Sequence, residues 1–529
     1  MSQKKMKNLI LEELTTEQKI GMLFCARSLH RPENLEQTLK LIKNHSVGCV
    51  QVPISDKTPE IIKAIKEAAD YPILIINDME QGYPRSDLPK VPALALAACN
   101  NAEYYRAFAR GIVATARAEG FSGTWCPVVD IQRSDAPCSA HRHFGDTPEV
   151  VLNAAEEISR TFLEYGFFST GKHYPGGSNR PYDTHMVEGL SDVTEQELID
   201  VDIAPYVGLM KKGLLPAIMT HHCTYLNVDP DNPATVSPKV LGIIRRLGFD
   251  GVMFTDSLAM MGILQKYGED KIMGKCVAAG VDVVLPNYRT STKKCYETFV
   301  QNYRDGAFTE ERLNEAVRRV LTLQAFVADN ADKQCVLDDS VRETLENVAR
   351  DCITAITDDG VTAALPDVNK KRLFVIVTSQ DFDAGAPEAE ITSQKWYFPG
   401  AIADKIRAEF PGAEIAFVPE FPSVRDNERV LVAATHHDEV VVVTFCTTAA
   451  YLGTDCMTRR VEMLVNCLAL SEKVSAVVHF GNPNAMKPIL HVPRRIFGYN
   501  AAESQPYAIE VLAGKIPAKG TLPFNIEFD

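Results

Sequence analysis

Two stretches of the chain hold the residue types that chemistry at a polar substrate requires. Residues 171–185 read GKHYPGGSNRPYDTH. Lys172 and His173 end an apolar run. Pro175, Gly176, Gly177 and Pro181 then make the following segment a loop by turn chemistry. The loop presents Asp183 and His185, and in extended backbone side chains two positions apart project to one side. Asp183 can therefore accept a hydrogen bond from one imidazole nitrogen of His185, fix its tautomer and favour the imidazolium. The other nitrogen is left to face a reacting group. The competing reading is a surface loop in which the Asp-x-His spacing is accidental.

The second stretch, residues 251–262, reads GVMFTDSLAMMG. An apolar strand ends at Asp256 and a helical pattern follows. A carboxylate at that point can attack an anomeric carbon, or it can cap the helix by accepting backbone N–H bonds. Asp78, in IINDMEQG, also ends a strand and can bind sugar hydroxyls or cap a loop. Arg142, in RHFGD, is either a two-pronged donor to a pair of hydroxyls or a solvated loop arginine. His222, in MTHHCTY, lines a pocket or is a satisfied structural histidine; the run His436-His437-Asp438 reads as a solvated turn.

Elements that position these residues follow from the apolar pattern. Strands are expected over 47–54, 72–78, 123–131, 167–172, 215–221, 251–256 and 281–286, with helical patterns over 58–69, 102–118 and 148–165. Strands apolar on both faces, alternating with helices, imply a parallel sheet. At this length the expectation is an α/β chain whose first part is a (β/α)8 TIM-type barrel, although only seven of the eight strands can be read. The polar strand ends Asp78, Asp130, Lys172-His173, His221-His222 and Asp256 fall where such a barrel carries its chemistry. A second series of strands begins at RLFVIVTS, residues 372–379, and continues over 414–419, 439–446, 476–481 and 495–499. It reads as a smaller α/β sandwich domain of doubly wound type. The expected division is a barrel over 1–335, a linker over 336–370 and the C-terminal domain over 371–529.

Composition narrows the function classes. The chain has 529 residues, 46% hydrophobic and 23% charged, which is a globular balance. A formal charge of -14 without a Lys/Arg cluster excludes nucleic acid as the main partner. No apolar run reaches membrane-spanning length and the first residues lack a signal-peptide core. The 13 cysteines are odd in number and match no zinc spacing. They read as thiols of a reducing compartment, so cytoplasm is the expected location. No metal and no cofactor is expected, and the oligomeric state is not readable.

Taken in order, these stretches resemble glycoside hydrolase family 3, and within it the bacterial β-N-acetylglucosaminidase (β-N-acetylhexosaminidase) branch in its two-domain form. LTTEQKIGMLF is similar to the family's opening helix. Asp78 and Glu80 match its aspartate-x-glutamate turn. PVVDI leads to Arg142, Lys172-His173 follow, FTDSLAM carries Asp256, and AAGVDVVLP closes the series. VLAGKIPAKGTLPF resembles the family's usual ending. The loop is the most specific match: Lys-His, an aromatic or aliphatic residue, Pro-Gly, a six-residue gap, then Asp-Ser/Thr-His.

Carried over by position, the resemblance implies Asp256 as nucleophile and His185 as general acid/base assisted by Asp183. It implies that Asp78, Arg142, Lys172 and His173 grip the hydroxyls of the terminal sugar. The implied partner is a small oligosaccharide or amino-sugar glycoside. The implied reaction is retaining hydrolysis that releases terminal β-linked N-acetylglucosamine through a covalent glycosyl-enzyme. Alternatives are a β-glucosidase, an N-acetylglucosaminide phosphorylase (a histidine donor leaves no second carboxylate to repel phosphate), and a non-catalytic sugar-binding protein. Three departures bear on these. Gly177-Ser178 replace the family's frequent His-Gly, Gln81-Gly82-Tyr83 replaces Gly-Gly-Arg with Arg85 nearby, and Ser257 stands where a second acid is common.

Overall fold

In the computed structural model the described residues are all but 1–5, 134–139, 177–182, 362, 366–369, 381–395, 447–450, 452–455 and 529. They form two compact units. The first comprises Met1–Asp87, Tyr105–Ala136 and Thr147–Val341; the second comprises Leu88–Tyr104, Pro137–Asp146 and Arg342–Asp529.

The first unit is a closed parallel barrel of eight strands: β1 (Cys25–Ala26), β2 (Cys49–Gln51), β3 (Leu74–Asn77), β4 (Gly123–Thr124), β5 (Thr170–Tyr174), β6 (Ala217–Thr220), β7 (Val252–Ser257) and β8 (Val283–Leu285). Strands β1 to β4 pair in order, as do β5 to β8, and every pairing is parallel. Parallel bridges Phe24↔Val284, Gly123↔Phe168 and Val128↔Lys172 close the two halves on each other. The strand that could not be read is β1. It is two residues long and follows helix Thr16–Met22 so closely that its apolar residues merge with the helix's own pattern. That helix begins at a capping box: Gln18 N–H donates to Thr15 Oγ1 at 3.3 Å and Thr15 N–H to Gln18 Oε1 at 2.9 Å.

The barrel's bottom is held by charge. Asp282, fully buried just before β8, accepts from Arg245 Nη2 at 2.7 Å, Arg312 Nη2 at 2.5 Å, Arg319 Nη1 at 3.3 Å and the Met253 N–H at 3.0 Å. Three guanidiniums from two helices converge on one carboxylate, so the helices are tied to the strand starts. At the N-terminal end of a barrel such residues serve stability, not chemistry.

The second unit centres on a six-stranded sheet. Its strands are β9 (Thr354–Thr357), β10 (Arg372–Thr378), β11 (Glu414–Pro419), β12 (Glu439–Phe445), β13 (Val474–Phe480) and β14 (Arg494–Phe497), in the order β9-β14-β13-β12-β10-β11. All pairings are parallel except β9 with β14. β10 and β12 are buried along their whole length, as central parallel strands must be. The stretch 336–370, read as a linker, carries helix Asp339–Asp351 and the edge strand β9. The run read as a solvated turn is corrected in part: His437 is buried, with Nδ1 at 2.8 Å from the Ala433 carbonyl oxygen. Among the described residues no helix is long and apolar enough to cross a membrane.

Candidate active site

The C-terminal ends of the barrel strands gather one cluster of charged side chains. On β5, Lys172 pairs with Met219 and Tyr174 with Thr220, so His173 is an extra, bulged residue. A bulge re-aims side chains, and here it lets two consecutive residues serve the same cleft. Lys172 Nζ lies 2.5 Å from Asp78 Oδ1 and 2.6 Å from Glu80 Oε1, with its side chain 2% exposed. A buried ammonium needs such partners to stay charged.

His173 turns the other way. Asp130 Oδ1 accepts its backbone N–H at 2.9 Å and Asp130 Oδ2 accepts Nδ1–H at 2.7 Å. The carboxylate is an acceptor only, so Nδ1 carries a proton and Nε2 faces Asp256, 3.8 Å from its Oδ2. That distance is a charge contact and too long for a hydrogen bond.

Asp256 stands near the end of β7, beside a register shift against β8 between Val283 and Leu285. Burial pushes its carboxyl upward. The charges of His173, His222 and Lys172 and the Ser257 N–H at 2.6 Å outweigh it and hold the group well below the usual carboxylate range. About a fifth of its side-chain surface remains open, 21%. This is an ionised, reachable carboxylate. It is not the helix cap of the competing reading: Asp256 Oδ1 accepts the N–H of its own neighbour Ser257, and helix Met261–Tyr267 starts five residues on.

Asp183 and His185 form the pair that their spacing suggested. Asp183 Oδ1 accepts the His185 backbone N–H at 2.9 Å and its Nδ1–H at 2.8 Å. Asp183 is 6% and His185 30% exposed in their side chains, so the carboxylate is sheltered and the imidazole is not. The Thr184 and His185 carbonyls accept the Gly262 and Met261 N–H groups at 3.3 and 3.0 Å, which satisfies open donors at the start of helix Met261–Tyr267. The turn residues Gly177, Ser178 and Pro181 lie outside the described residues.

Four side chains escaped the expected site. Glu80, offered by the sequence only as part of the family's aspartate-x-glutamate turn, shares Lys172 with Asp78; Asp130, read as a polar strand end, orients His173. Arg27 follows the unread β1. Its Nε donates to Gln51 Oε1 at 2.5 Å and its Nη1 to Ser257 Oγ at 2.7 Å and the Pro286 carbonyl at 3.1 Å. Ser257, the departure from the family's second acid, is thereby the anchor of a guanidinium beside Asp256. His221 is the fourth, at the end of β6. His222 proves to be a satisfied histidine. It is fully buried, with Nδ1 at 2.8 Å from Thr235 Oγ1 and Nε2 at 3.1 Å from the Ser257 carbonyl, so it steadies the backbone next to Asp256.

The Tyr83 departure is also accounted for: Tyr83 Oη donates to Glu119 Oε2 at 2.6 Å, and Arg85 binds Glu119 at 3.0 Å and Asp56 at 3.1 Å. Arg142 belongs to the second unit, half-buried in the short turn Ala140–Arg142. Among the described residues no group of three or more His, Cys, Asp or Glu could hold a metal ion.

A closed parallel barrel with carboxylates, a lysine and histidines gathered at its C-terminal strand ends is the frame on which barrel enzymes carry their chemistry. Residues 15–323 match the family model described as the glycosyl hydrolase family 3 N terminal domain, and the chain belongs to that family. It is 28% identical over 334 residues to a beta-N-acetylglucosaminidase/beta-glucosidase of Cellulomonas fimi, covering 60% of this chain and 58% of that protein. It is 31% identical over 238 residues to a beta-hexosaminidase of Actinobacillus pleuropneumoniae serotype 5b (strain L20), covering 42% of this chain and 68% of the relative. Among solved structures it is similar to a family 3 beta-N-acetylglucosaminidase from Paenibacillus sp. str. FPU-7, with TM-score 0.79 and 24% identity over 97% of this chain and 99% of that one. It is equally similar to the beta-glucoside phosphorylase BglX, with TM-score 0.80 and 20% identity over 97% and 94% of the two chains. At these identities the two structures establish the fold, including the α/β second domain.

Proposed function

We propose that the protein is a retaining glycosidase releasing terminal β-linked N-acetylglucosamine, with Asp256 as nucleophile and His185, oriented by Asp183, as acid/base. The observation that carries this reading is the docked Asp183–His185 pair. The carbonyls of Thr184 and His185 cap the helix that follows Asp256, so nucleophile and proton donor are parts of one local scaffold. The relatives named for N-acetylglucosaminidase and hexosaminidase activity support the substrate class.

In the first half-reaction a carboxylate oxygen of Asp256 bonds to C1 as the glycosidic C1–O bond breaks. The protonated imidazole of His185 gives its Nε2 proton to the departing oxygen. In the second, neutral His185 takes a proton from water, the water oxygen bonds to C1 and the ester to Asp256 breaks. Asp183 remains ionised and stabilises the imidazolium, as in other carboxylate–imidazole pairs. Asp78, Lys172 and His173 grip the sugar's hydroxyls. A cytoplasmic location belongs to the same proposal and is supported by the free thiols among the described cysteines.

Initial rates on chromogenic β-N-acetylglucosaminide and β-glucoside test the substrate. Preference for the glucoside overturns the N-acetylglucosamine assignment. Asp256→Ala must abolish turnover on both, and retained turnover overturns the nucleophile. A second reading, phosphorolysis, has a specific support: the proton donor is a histidine, and Asp183, the carboxylate that holds its Nδ1, has a side chain only 6% exposed. Adding inorganic phosphate to the assay and looking for the sugar 1-phosphate separates the two.

A further inference from the structure

His221 sits at the end of β6, between the strand carrying Lys172-His173 and the strand carrying Asp256. Its main chain is fully engaged: its N–H donates to the Tyr174 carbonyl at 2.8 Å, and its carbonyl accepts the Thr235 N–H at 3.2 Å and the Thr235 hydroxyl at 2.8 Å. Its side chain is not. Nδ1 is buried, and among the described residues it has no hydrogen-bond partner. Native interiors satisfy most such atoms, and an exception calls for an explanation such as strain, a catalytic role or a bound water or ion.

The ring's surroundings say which ligand. Its centroid lies 6.0 Å from that of His173, at an interplanar angle of 48°. Burial first, and then the neighbouring His173, push its pKa down to about 4, while Asp130 and Asp256 pull the other way. His221 is therefore a neutral imidazole at working pH, with one N–H and one lone pair to offer. Its fellow, His222, uses both nitrogens within the protein, so the orphan is particular to His221.

We propose that His221 is a specificity-determining residue whose imidazole bonds the substituent on C2 of the bound sugar. The inference rests on the reading of Asp256 as the nucleophile. If Asp256 meets C1, the substituent-bearing carbon next to it is C2, because the other ring neighbour of C1 is oxygen. His221 follows β6, the strand between those carrying His173 and Asp256, and its ring lies 6.0 Å from that of His173, so it borders the sugar next to C1. A 2-acetamido N–H or carbonyl, or a 2-hydroxyl, complements a neutral imidazole. A 2-deoxy carbon offers it nothing.

The test compares wild type, His221→Ala and His221→Asn on activated β-glycosides carrying a 2-acetamido group, a 2-hydroxyl and no 2-substituent. His221→Ala is expected to lower kcat/KM roughly tenfold or more on the first two, and to change the 2-deoxy substrate by no more than about twofold. His221→Asn, which keeps a small donor and acceptor, is expected to recover part of the loss. An equal fall on all three substrates assigns His221 to folding or general positioning, and no fall on any removes it from the site; either result overturns the proposal. The ranking of the three substrates by wild type tests the activity reading separately. If wild type turns over none of them, calorimetry with N-acetylglucosamine, glucose and 2-deoxyglucose decides. Loss of roughly tenfold in affinity for the first two in His221→Ala supports the assignment, and equal binding by both proteins, or none by wild type, overturns it.

Discussion

The carbonyl oxygen of His185 accepts the backbone N–H of Met261 at 3.0 Å, five residues beyond Asp256. A loop residue with a titratable ring is thus fastened, through its main chain, to the first turn of the helix that leaves the Asp256 strand. The bond converts a mobile-looking turn into part of the barrel's rigid frame. It also means that packing at the helix start sets where the imidazole stands.

Gly262 makes that dependence testable. A Cβ there would lie 2.4 Å from the Val187 carbonyl oxygen and 2.9 Å from that of Thr184, both backbone atoms that cannot rotate away. Gly262→Ala must push the 184–187 segment off the helix. Overpacking of this kind costs about 1–3 kcal/mol, and displacement of a catalytic group by about 1 Å can cost on the order of 100-fold in rate. The expected result is a large fall in kcat, little change in KM and a modest fall in melting temperature. Unchanged kcat with the same melting loss would mean that the loop's placement does not govern the chemistry.

Asp130 holds His173 as Asp183 holds His185, each carboxylate taking both the backbone N–H and Nδ1–H of its histidine. Asp130→Asn keeps the shape but offers only one acceptor oxygen, and its NH2 group cannot accept from the histidine. His173 must then rotate, which turns Nε2 from Asp256, or change tautomer, which moves its proton from Nδ1 to the Nε2 that faces Asp256. Loss of such an orienting partner typically costs 10- to 100-fold, so kcat/KM is expected to fall by about that much. Thermal unfolding measured beside it distinguishes the loss from collapse of the fold.

How far the sequence carries can be judged from the same residues. The Asp183–His185 contact was legible because an i, i+2 pair in a loop depends on local geometry, whereas the residues alone left Asp256 open between helix cap and site carboxylate. Seven barrel strands were legible because each is an apolar run bounded by turn residues. β1 was not, since a two-residue strand has no period of its own. Arg27 went with it. Asp130 was visible as a polar strand end and Glu80 as part of the family's turn, yet their partners are 43 residues away in His173 and on a separate strand in Lys172. Those pairings exist only once the barrel closes. The bulge at His173, which aims two consecutive side chains into one cleft, has no signature in single-sequence periodicity.

Asp282 supplies a contrast within the family's AAGVDVVLP segment. It is a carboxylate as buried as any near the site, yet its partners are Arg245, Arg312 and Arg319 at the opposite ends of the strands. Asp282→Asn leaves three guanidiniums around a neutral amide, and breaking a buried pair by removing one partner costs about 3–5 kcal/mol. The expected outcome is a substantially lower urea midpoint for the barrel and, below that midpoint, an unchanged KM. A changed KM in the folded protein would show that the bottom of the barrel reaches the sugar site.

Acid should weaken both units through buried histidines. His221 in the barrel and His479 in the second sheet are each pushed down to about 4, chiefly by burial. His479 is fully enclosed, with Nδ1 at 2.9 Å from Thr444 Oγ1 and Nε2 at 3.2 Å from the Asn482 carbonyl. In the unfolded chain a histidine titrates near 6.5. Between that value and about 4 the unfolded state binds the extra proton and the folded state does not, so stability falls as pH falls through this window and is unaffected above it. For His479 the full effect is on the order of 3 kcal/mol, since each pKa unit is worth about 1.4 kcal/mol. Urea unfolding followed at pH 7.5, 6 and 5 should show the decline beginning below about 6.5. His479→Gln should flatten it for the second unit whatever its effect at pH 7.5. A decline that persists unchanged in that variant would place the acid sensitivity elsewhere, in the barrel's own titrating groups.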